Sequence, residues 1–273
     1  MSATAPPQLE NVALTLSDGV GVVELNRPDA LNAWNRQLGV DLLDAVRFVA
    51  EEQAVRAVLL RGAGRAFSSG ADLKDLTGRE EDFTPDGRPD VQRVLTERYH
   101  PIITGIRQMD KPVVAAVHGP AVGIGLSLAL SCDLVIAARS AYFLLAFVNI
   151  GLVPDGGASL FVPSRVGMAR ATEMAMLGER IDATQALQWG LVNRVVDDER
   201  LQQEAGELSA RLAAGPTRAH AGIKRQLNRW LYSGMADQLE LEAHVQQEMA
   251  GTHDFSEGVG AFVEKRAARF RGA

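Results

Sequence analysis

The sequence predicts an α/β protein with a helical C-terminal region. Strand-like and helix-like segments alternate as far as residue 198, and no convincing strand pattern follows Glu199. The unbroken apolar run Pro112–Val117 is typical of a strand buried on both faces, as in a parallel sheet. With 273 residues, 47% of them hydrophobic, the chain can bury a sizeable core. We therefore predict a core over residues 1–198 and a helical region over residues 199–273.

The first elements are a hairpin and an amphipathic helix. Residues 13–16 and 20–25 are rich in β-forming side chains, and Ser17-Asp18-Gly19 between them predicts a turn. Apolar residues then recur at the spacing of one helix face, at Leu38, Leu42, Val46 and Val49. Either Asn32 or Asn35 can cap this helix.

The middle of the chain alternates between strands and helices. A buried strand is expected over residues 55–60, followed by a glycine-bracketed loop over residues 62–70. The polar segment 76–90 contains two glycines and two prolines, which favours a mobile lid. The remaining patterns predict helices over 91–109, 123–131, 158–166, 169–177 and 181–189, and strands over 112–117, 134–137 and 192–196.

Composition excludes several classes of function. The net charge of −6, without a basic stripe, argues against nucleic acid as a partner. The single Cys132 lies in an apolar run and is expected to be a buried small hydrophobe, and the five histidines lack metal-ligand spacing. No signal peptide and no run long enough to span a bilayer is evident, so we expect a cytoplasmic protein without membrane contact.

Two glycine-rich stretches carry the candidate chemistry. Gly123 and Gly125 flank Ile124 where a buried helix is predicted to begin, and free N–H groups at a helix start favour negative charge. These glycines could instead only permit close packing of the helix. The second stretch, residues 151–157, holds one carboxylate, Asp155, after a long apolar run. Asp155 could be a base with a raised pKa, or merely a turn residue or helix N-cap.

Five segments together resemble the crotonase superfamily, the enoyl-CoA hydratase/isomerase group. They are Leu25-Asn26-Arg27-Pro28 with Leu31-Asn32-Ala33, residues 66–73 (Ala-Phe-Ser-Ser-Gly-Ala-Asp-Leu), residues 111–133, residues 151–157 and residues 186–196. The resemblance implies a spiral of repeated ββα units, with C-terminal helices that pack around neighbouring subunits of a trimer or of a dimer of trimers. It also implies an acyl-CoA thioester as the substrate, with CoA arriving as part of it and no separate cofactor or metal.

The shared chemistry of this family is stabilisation of a thioester enolate. The enolate oxygen needs two preorganised donors, and backbone N–H groups serve well. The resemblance places these donors at Ser69 and Ile124. It further assigns the binding of substrate and CoA to Ala66, Ser68, Gly70, Ala71, Asp72, Leu73, Gly123, Gly125, Ser127, Phe147 and Lys265. Lys265 is equally well explained as a lysine that only faces solvent.

The acids distinguish this chain from the hydratases of the family, which use two glutamates. The corresponding positions here are Ser127 and Phe147, and neither can transfer a proton as a carboxylate does. Asp155 stands where several Δ3,Δ2-enoyl-CoA isomerases of the family, and the ring-epoxide phenylacetyl-CoA isomerases, carry an acid. Moving a double bond needs only one base, which takes a proton from C2 and returns it to C4.

Three functions remain open at this point. The first is an enoyl-CoA isomerase with Asp155 as the proton shuttle. The second is an enoyl-CoA hydratase, a lyase, that uses Asp155 with an ordered water. The third is a non-catalytic acyl-CoA-binding protein that keeps the fold and the CoA site. Structural roles are expected for His118 and Asn149, and Asp72 is expected to brace the loop that carries Ser69.

Overall fold

The computed structural model describes residues 6–73 and 82–273. Within these ranges the strands are β1 (Val12–Ser17), β2 (Val20–Leu25), β3 (Ala57–Gly62), β4 (Val113–Val117), β5 (Pro120–Val122), β6 (Leu134–Ala138), β7 (Tyr142–Leu144), β8 (Ile181–Asp182) and β9 (Arg194–Val196). The helices are α1 (Arg36–Glu51), α2 (Val91–Val94), α3 (His100–Gln108), α4 (Ile124–Ser131), α5 (Ala158–Val166), α6 (Met168–Leu177), α7 (Ala183–Trp189), α8 (Leu201–Ala214), α9 (Thr217–Leu231), α10 (Met235–Ala250) and α11 (His253–Glu264).

The strands form two sheets that the chain visits in turn. The larger sheet has the order β1-β2-β3-β4-β6-β9 and is parallel except for the β1–β2 hairpin. The smaller sheet has the order β5-β7-β8. Each of β4 and β6 lies in the larger sheet and is followed at once by a strand of the smaller sheet and then by helical structure. This repeated ββα path confirms the α/β fold expected from the sequence, with a helical C-terminal region.

The larger sheet is covered on both faces, as the apolar run in β4 predicts. Val113, Ala115 and Val117 face the main core, because successive side chains of a strand alternate between faces. Val114 and Ala116 belong to a second apolar cluster with Leu201, Ala205 and Leu208 of α8. The sheet is therefore a fully buried layer that gives the loops at its edges a rigid base.

The cap of α1 is Asn35, one of the two predicted candidates. Its side chain accepts a hydrogen bond from the Leu38 N–H at 2.8 Å, which satisfies one of the free amides of the first turn. Asn32 is instead buried, and its Nδ2 donates to the carbonyls of Ala63 and Ala66. Asn32 thus fixes the loop that follows β3.

The segment predicted as one helix over residues 91–109 is interrupted. A π-helical turn, Leu95–Tyr99, joins α2 to α3. Pro101 lies in the first turn of α3 and has no N–H to donate to the preceding turn, which relaxes the α-helical pattern there. The predicted helical structure is confirmed from Val91 to Gln108, with the π-helical turn as a local departure from the α-helical pattern.

Other differences concern short strands. The helix predicted over residues 181–189 begins only at Ala183, because Ile181–Asp182 pairs with β7 as β8. Strands β5 and β7 are only three residues long and were not predicted from the sequence. Of the predicted lid, residues 76–81 lie outside the described residues, and 82–90 forms turns and bridges. None of the helices in the described part of the chain is long and apolar enough to cross a membrane.

Candidate active site

The loop over residues 66–72 is held on both sides by backbone hydrogen bonds. The Ser68 N–H donates to Pro120 O at 3.0 Å, and the Asp72 N–H donates to Trp34 O at 3.0 Å. Gly70 lies between them with φ +96°, a left-handed conformation that glycine adopts without strain. The turn at Gly70 redirects the peptide that follows it.

This pairing corrects the predicted role of Ser69. The Ser69 N–H donates to Leu31 O at 3.0 Å and is not available to a ligand. Two residues later, the Ala71 N–H has no hydrogen-bond acceptor among the described residues. Ala71, which the resemblance assigned only to substrate binding, therefore offers the free donor in this loop.

The second donor is where the sequence predicts it. Ile124 is the first residue of α4, so its N–H has no partner within the helix. No acceptor for this N–H lies elsewhere in the described chain either. The Ile124 amide and the N-terminal end of the α4 dipole together favour negative charge at this point.

The two donors are carried by backbones in close contact. A Cβ placed on Gly70 would lie 2.9 Å from the Val122 carbonyl oxygen and 3.9 Å from the Gly123 Cα. A Cβ on Gly125 would lie 2.7 Å from the Ser68 Cβ. Both glycines are therefore required for this close approach of the 66–72 loop to the start of α4.

The loop that carries Asp155 packs on the first turn of α4. Gly156 has φ +61°, and a Cβ there would lie 2.3 Å from the Ile124 Cδ1. The Ser127 hydroxyl donates to the Asp155 carbonyl oxygen at 2.7 Å. The single carboxylate of the glycine-rich stretch is thus anchored beside the helix start that offers the Ile124 N–H.

The Asp155 side chain is buried and only half satisfied. It is 6% exposed, and its Oδ2 accepts a hydrogen bond from Gln246 Nε2 at 2.8 Å. Its Oδ1 is buried and has no partner among the described residues. An unsatisfied carboxylate oxygen is costly and is a frequent mark of a functional site. The N-cap of α5 is Gly157, and the Asp155 side chain does not cap the helix. Asp155 is nevertheless a turn residue, because its carbonyl oxygen accepts from the Ala158 N–H at 3.1 Å.

Burial changes the acidity of this carboxyl group. Loss of hydration raises the pKa of Asp155 to about 8, and the nearby Glu242 carboxylate acts in the same direction. The hydrogen bond from Gln246 opposes the shift because it stabilises the charged form. A carboxyl group with a pKa in this range can both take up and release a proton near neutral pH.

The two positions that hold acids in hydratases have other functions here. The Ser127 hydroxyl lies within hydrogen-bond distance of the Gly123 carbonyl, at 3.4 Å, besides its bond to Asp155. Phe147 is 8% exposed, and its ring lies 3.7 Å from where a Gly123 Cβ would be. Both residues pack beside the start of α4, and neither supplies a carboxylate there.

A cavity begins at the Ala71 donor. It is a narrow cleft that is partly open to solvent, with enclosed space of only about 20 Å³. Its walls combine aromatic and aliphatic side chains with three aspartates and two arginines: Trp34, Asn35, Arg36, Ala71, Asp72, Asp82, Pro89, Asp90, Val91, Val94, Arg98 and Tyr99. The π-helical turn contributes Arg98 and Tyr99, and the Tyr99 ring packs edge-on against Trp34 with centroids 5.0 Å apart.

The other predicted residues divide between this region and distant positions. Asp72 braces its loop through an ion pair with Arg27 at 3.1 Å. Within the 66–72 loop, Ala66 and Ser68 are fully buried. Leu73 is the last residue that the structure describes before Asp82. Lys265 is exposed at the end of α11 with φ +56°.

Residues expected to be structural have structural contacts. Asn149 Nδ2 donates to the Gly178 carbonyl at 2.9 Å, and His118 Nε2 lies 2.9 Å from the Gly64 carbonyl oxygen. Cys132 is fully buried, and burial raises the pKa of its thiol to about 12. Among the described residues, no cluster of three His, Cys, Asp or Glu side chains could hold a metal ion.

Sequence reasoning missed the residues of α10 that meet the Asp155 loop. Gln238, Glu242 and Gln246 are spaced four residues apart, so they share one face of the helix. Gln238 and Glu242 bond Ser159, and Gln246 bonds Asp155. The signal that could have found them is a polar stripe beside the apolar positions Leu239 and Ala243, which are buried.

Comparison with known proteins identifies the family of this chain. The sequence model of the family described as Enoyl-CoA hydratase/isomerase matches residues 15–273. A 1,2-epoxyphenylacetyl-CoA isomerase of Escherichia coli (strain K12) is 38% identical over 265 residues, 97% of this chain and 99% of that protein. A probable enoyl-CoA hydratase of Rhodobacter capsulatus is 41% identical over 257 residues, 94% of this chain and 96% of that protein.

A solved structure gives the same result for the fold. The crystal structure of an enoyl-CoA hydratase from Mycobacterium avium subsp. paratuberculosis K-10 superposes with a TM-score of 0.87 at 38% identity, covering 97% of this chain and 100% of that one. The motifs, the ββα path and these likenesses lead to one conclusion: the chain belongs to the enoyl-CoA hydratase/isomerase family of the crotonase superfamily.

Proposed function

We propose that this protein is an acyl-CoA isomerase that moves a double bond with Asp155 as its single proton shuttle. The observation that carries the proposal is the Asp155 carboxylate, buried against the start of α4 with Oδ1 unpartnered among the described residues. The N–H groups of Ala71 and Ile124 are the two donors for the thioester oxygen.

The reaction divides into two proton transfers. The ionised Asp155 takes a proton from C2 of a 3-enoyl thioester, and the electron pair moves into the thioester as a dienolate. The Ala71 and Ile124 N–H groups bind the oxygen on which this charge develops. The protonated Asp155 then delivers the same proton to C4, which gives the 2-enoyl thioester. Atoms and charge balance with substrate and Asp155 alone, so the proposal needs no resident cofactor.

A second acid would be needed for efficient hydration. Activation of water and protonation of the α-carbon can be shared by two carboxylates, and Ser127 and Phe147 replace both of them here. Glu242 does not fill the gap, since its oxygens accept bonds from Gly157 N and from the N–H and hydroxyl of Ser159. The E. coli relative carries an isomerase name and the R. capsulatus relative a hydratase name. The presence of Ser127 and Phe147 in place of two carboxylates is therefore what favours isomerisation over hydration.

Steady-state assays of Asp155→Asn test the proposal. We expect wild-type protein to convert 3-enoyl-CoA to 2-enoyl-CoA, and the variant to lose at least about 10²-fold in kcat, the contribution typical of a general base. Binding of the CoA ester, measured by calorimetry, should change little because the donors remain. Asp237→Asn on the exposed side of α10 is the matched control.

The outcomes separate the three functions. Full isomerase activity in Asp155→Asn would remove Asp155 from the mechanism. Rapid addition of water to 2-enoyl-CoA by the wild type would favour the hydratase. Saturable binding without turnover of enoyl, dienoyl or ring-epoxide esters would favour a non-catalytic acyl-CoA-binding protein.

The assembly that we expect is a homotrimer or a dimer of trimers. On α9, Ile223, Leu227 and Trp230 lie on one face at i, i+4 and i+7 and are 53%, 53% and 70% exposed. A helix face of this kind is costly in water and supports burial against another copy of the chain. Lys265 could then approach a CoA phosphate bound by a neighbouring subunit.

A further inference from the structure

We propose that Gln246 and Glu242 of α10 are positioning residues for the Asp155 carboxylate, so that Oδ1 is the oxygen that exchanges the substrate proton. This inference rests on the proposed function of Asp155. It assigns a role to a helix that contributes no atom to the reaction itself, and the role follows from three sets of contacts.

Gln246 fixes the orientation of the carboxylate. The side chain is fully buried and bridges the two sides of Pro154: its Oε1 accepts from the Val153 N–H at 3.4 Å, and its Nε2 donates to Asp155 Oδ2 at 2.8 Å. The Val153 N–H can only donate, so it determines which end of the amide faces Asp155. Oδ2 is thereby engaged and Oδ1 is left for the substrate.

Glu242 holds the backbone segment that directly follows Asp155. Its Oε2 accepts from the Gly157 N–H at 2.7 Å, and its Oε1 accepts from the Ser159 N–H at 3.0 Å. These are amides at the start of α5, where an acceptor is favoured by the helix dipole. The Ser159 hydroxyl donates to the same carboxylate and accepts from Gln238 Nε2 at 2.9 Å. The whole 153–159 segment is therefore tied to one face of α10.

Gln246 and Glu242 shift the pKa of Asp155 in opposite directions. Gln246 donates to the carboxylate and lowers the pKa of Asp155, whereas the Glu242 charge raises it. Burial also raises the pKa of Glu242 itself, to about 7. Among the described residues, Glu242 is the charged group that shifts the pKa of Asp155, while α4 presents the uncharged Ser127 to the same loop.

Opposite shifts in the pH profile are the test of this arrangement. Gln246→Met keeps the side-chain volume and removes the donor, so the pH at which kcat/KM reaches half its plateau should rise by about one unit. Glu242→Gln keeps the shape and removes the charge, so the same midpoint should fall by about one unit. Glu248→Gln, an exposed position of the same helix, is the matched control and should leave the midpoint unchanged.

A second measurement separates this inference from the proposed function. The Asp155 carboxyl band can be identified in pH-difference infrared spectra by its loss in Asp155→Asn, and its titration needs no turnover. Opposite displacements of that midpoint in Gln246→Met and Glu242→Gln support the positioning of the carboxylate even if Asp155→Asn proves active. Activity of Asp155→Asn would refute the isomerase mechanism and proton exchange at Oδ1.

Two results would overturn the inference. One is a midpoint that stays in place in both variants, and the other is a shift in the same direction, as general loosening of the fold would cause. Circular dichroism establishes that each variant is folded. If Gln246→Met does not fold, Glu242→Gln alone tests the inference. A lower midpoint pH for Asp155 in that variant would support it, and an unchanged or higher midpoint pH would refute it.

Discussion

Replacement of Asp155 by asparagine should make the protein more stable, and increasingly so as the pH rises. The variant is nearly isosteric and can still accept the hydrogen bond from Gln246. It removes a carboxyl group whose pKa burial raises from 3.8 to about 8. Between these two values the folded wild type retains a proton that the unfolded chain has released.

The size of the effect follows from this shift. The stability that the proton contributes is complete below the unfolded pKa and is lost as the pH rises through the folded pKa. The loss approaches about 1.4 kcal/mol per pH unit within that window. From pH 5 to pH 7 the advantage of Asp155→Asn should therefore grow by roughly 2–3 kcal/mol. Glu242 is present in both proteins, so most of its own contribution cancels in the comparison.

Thermal unfolding at fixed protein concentration measures this difference. For a chain of this size each kcal/mol corresponds to about 2–4 °C in Tm, so the gap between variant and wild type should widen by several degrees over that range. Asp86→Asn is the control, because Arg88 holds the pKa of this exposed carboxyl low, at about 2. Parallel curves for wild type and Asp155→Asn would refute a raised pKa at Asp155.

Three further outcomes follow from the site and the surface. In the wild type, kcat/KM should rise with pH to a plateau above about 8, because the base must be ionised; a profile flat from pH 6 to pH 9 would contradict this. Ile124→Pro removes one N–H at a helix position that tolerates proline, and it should lower kcat by about 10²–10³-fold relative to Ile124→Ala. Equal rates in the two variants would exclude that donor. Trp230→Glu should reduce the assembly observed by light scattering, and an unchanged mass would exclude α9 as the contact.

The sequence predicts local features of the candidate site where the signal is local. The glycines around Ile124 predict a free N–H at a helix start, and the structure has α4 begin there. Ser69 was wrong by two residues, because the choice among neighbouring amides depends on the distant Leu31 carbonyl and on the positive φ of Gly70. Neither the contact with Leu31 nor the backbone angle of Gly70 can be read from the residues around Ser69. The division into two regions at residue 198 stays a prediction.

Long-range contacts explain what the sequence analysis missed. Gln246 lies 91 residues from Asp155, and no local rule pairs a helical glutamine with a distant turn. The strands β5 and β7 are three residues long, too short for an alternating pattern to emerge. Their pairing with each other depends on the fold already being in place.

The π-helical turn at Leu95–Tyr99 keeps the apolar faces of two helical segments directed at the same core. An α-helix turns by about 100° per residue, and a π-helical turn takes up one extra residue locally, so the helices on either side of it keep their orientation. Downstream, α3 buries Ile102, Ile103 and Ile106 in the core. Upstream, Val91 and Val94 line the cavity. Deletion of one residue here would convert the turn to regular α-helix and rotate Val91 and Val94 by about 100° relative to α3, which would carry both valines out of the core.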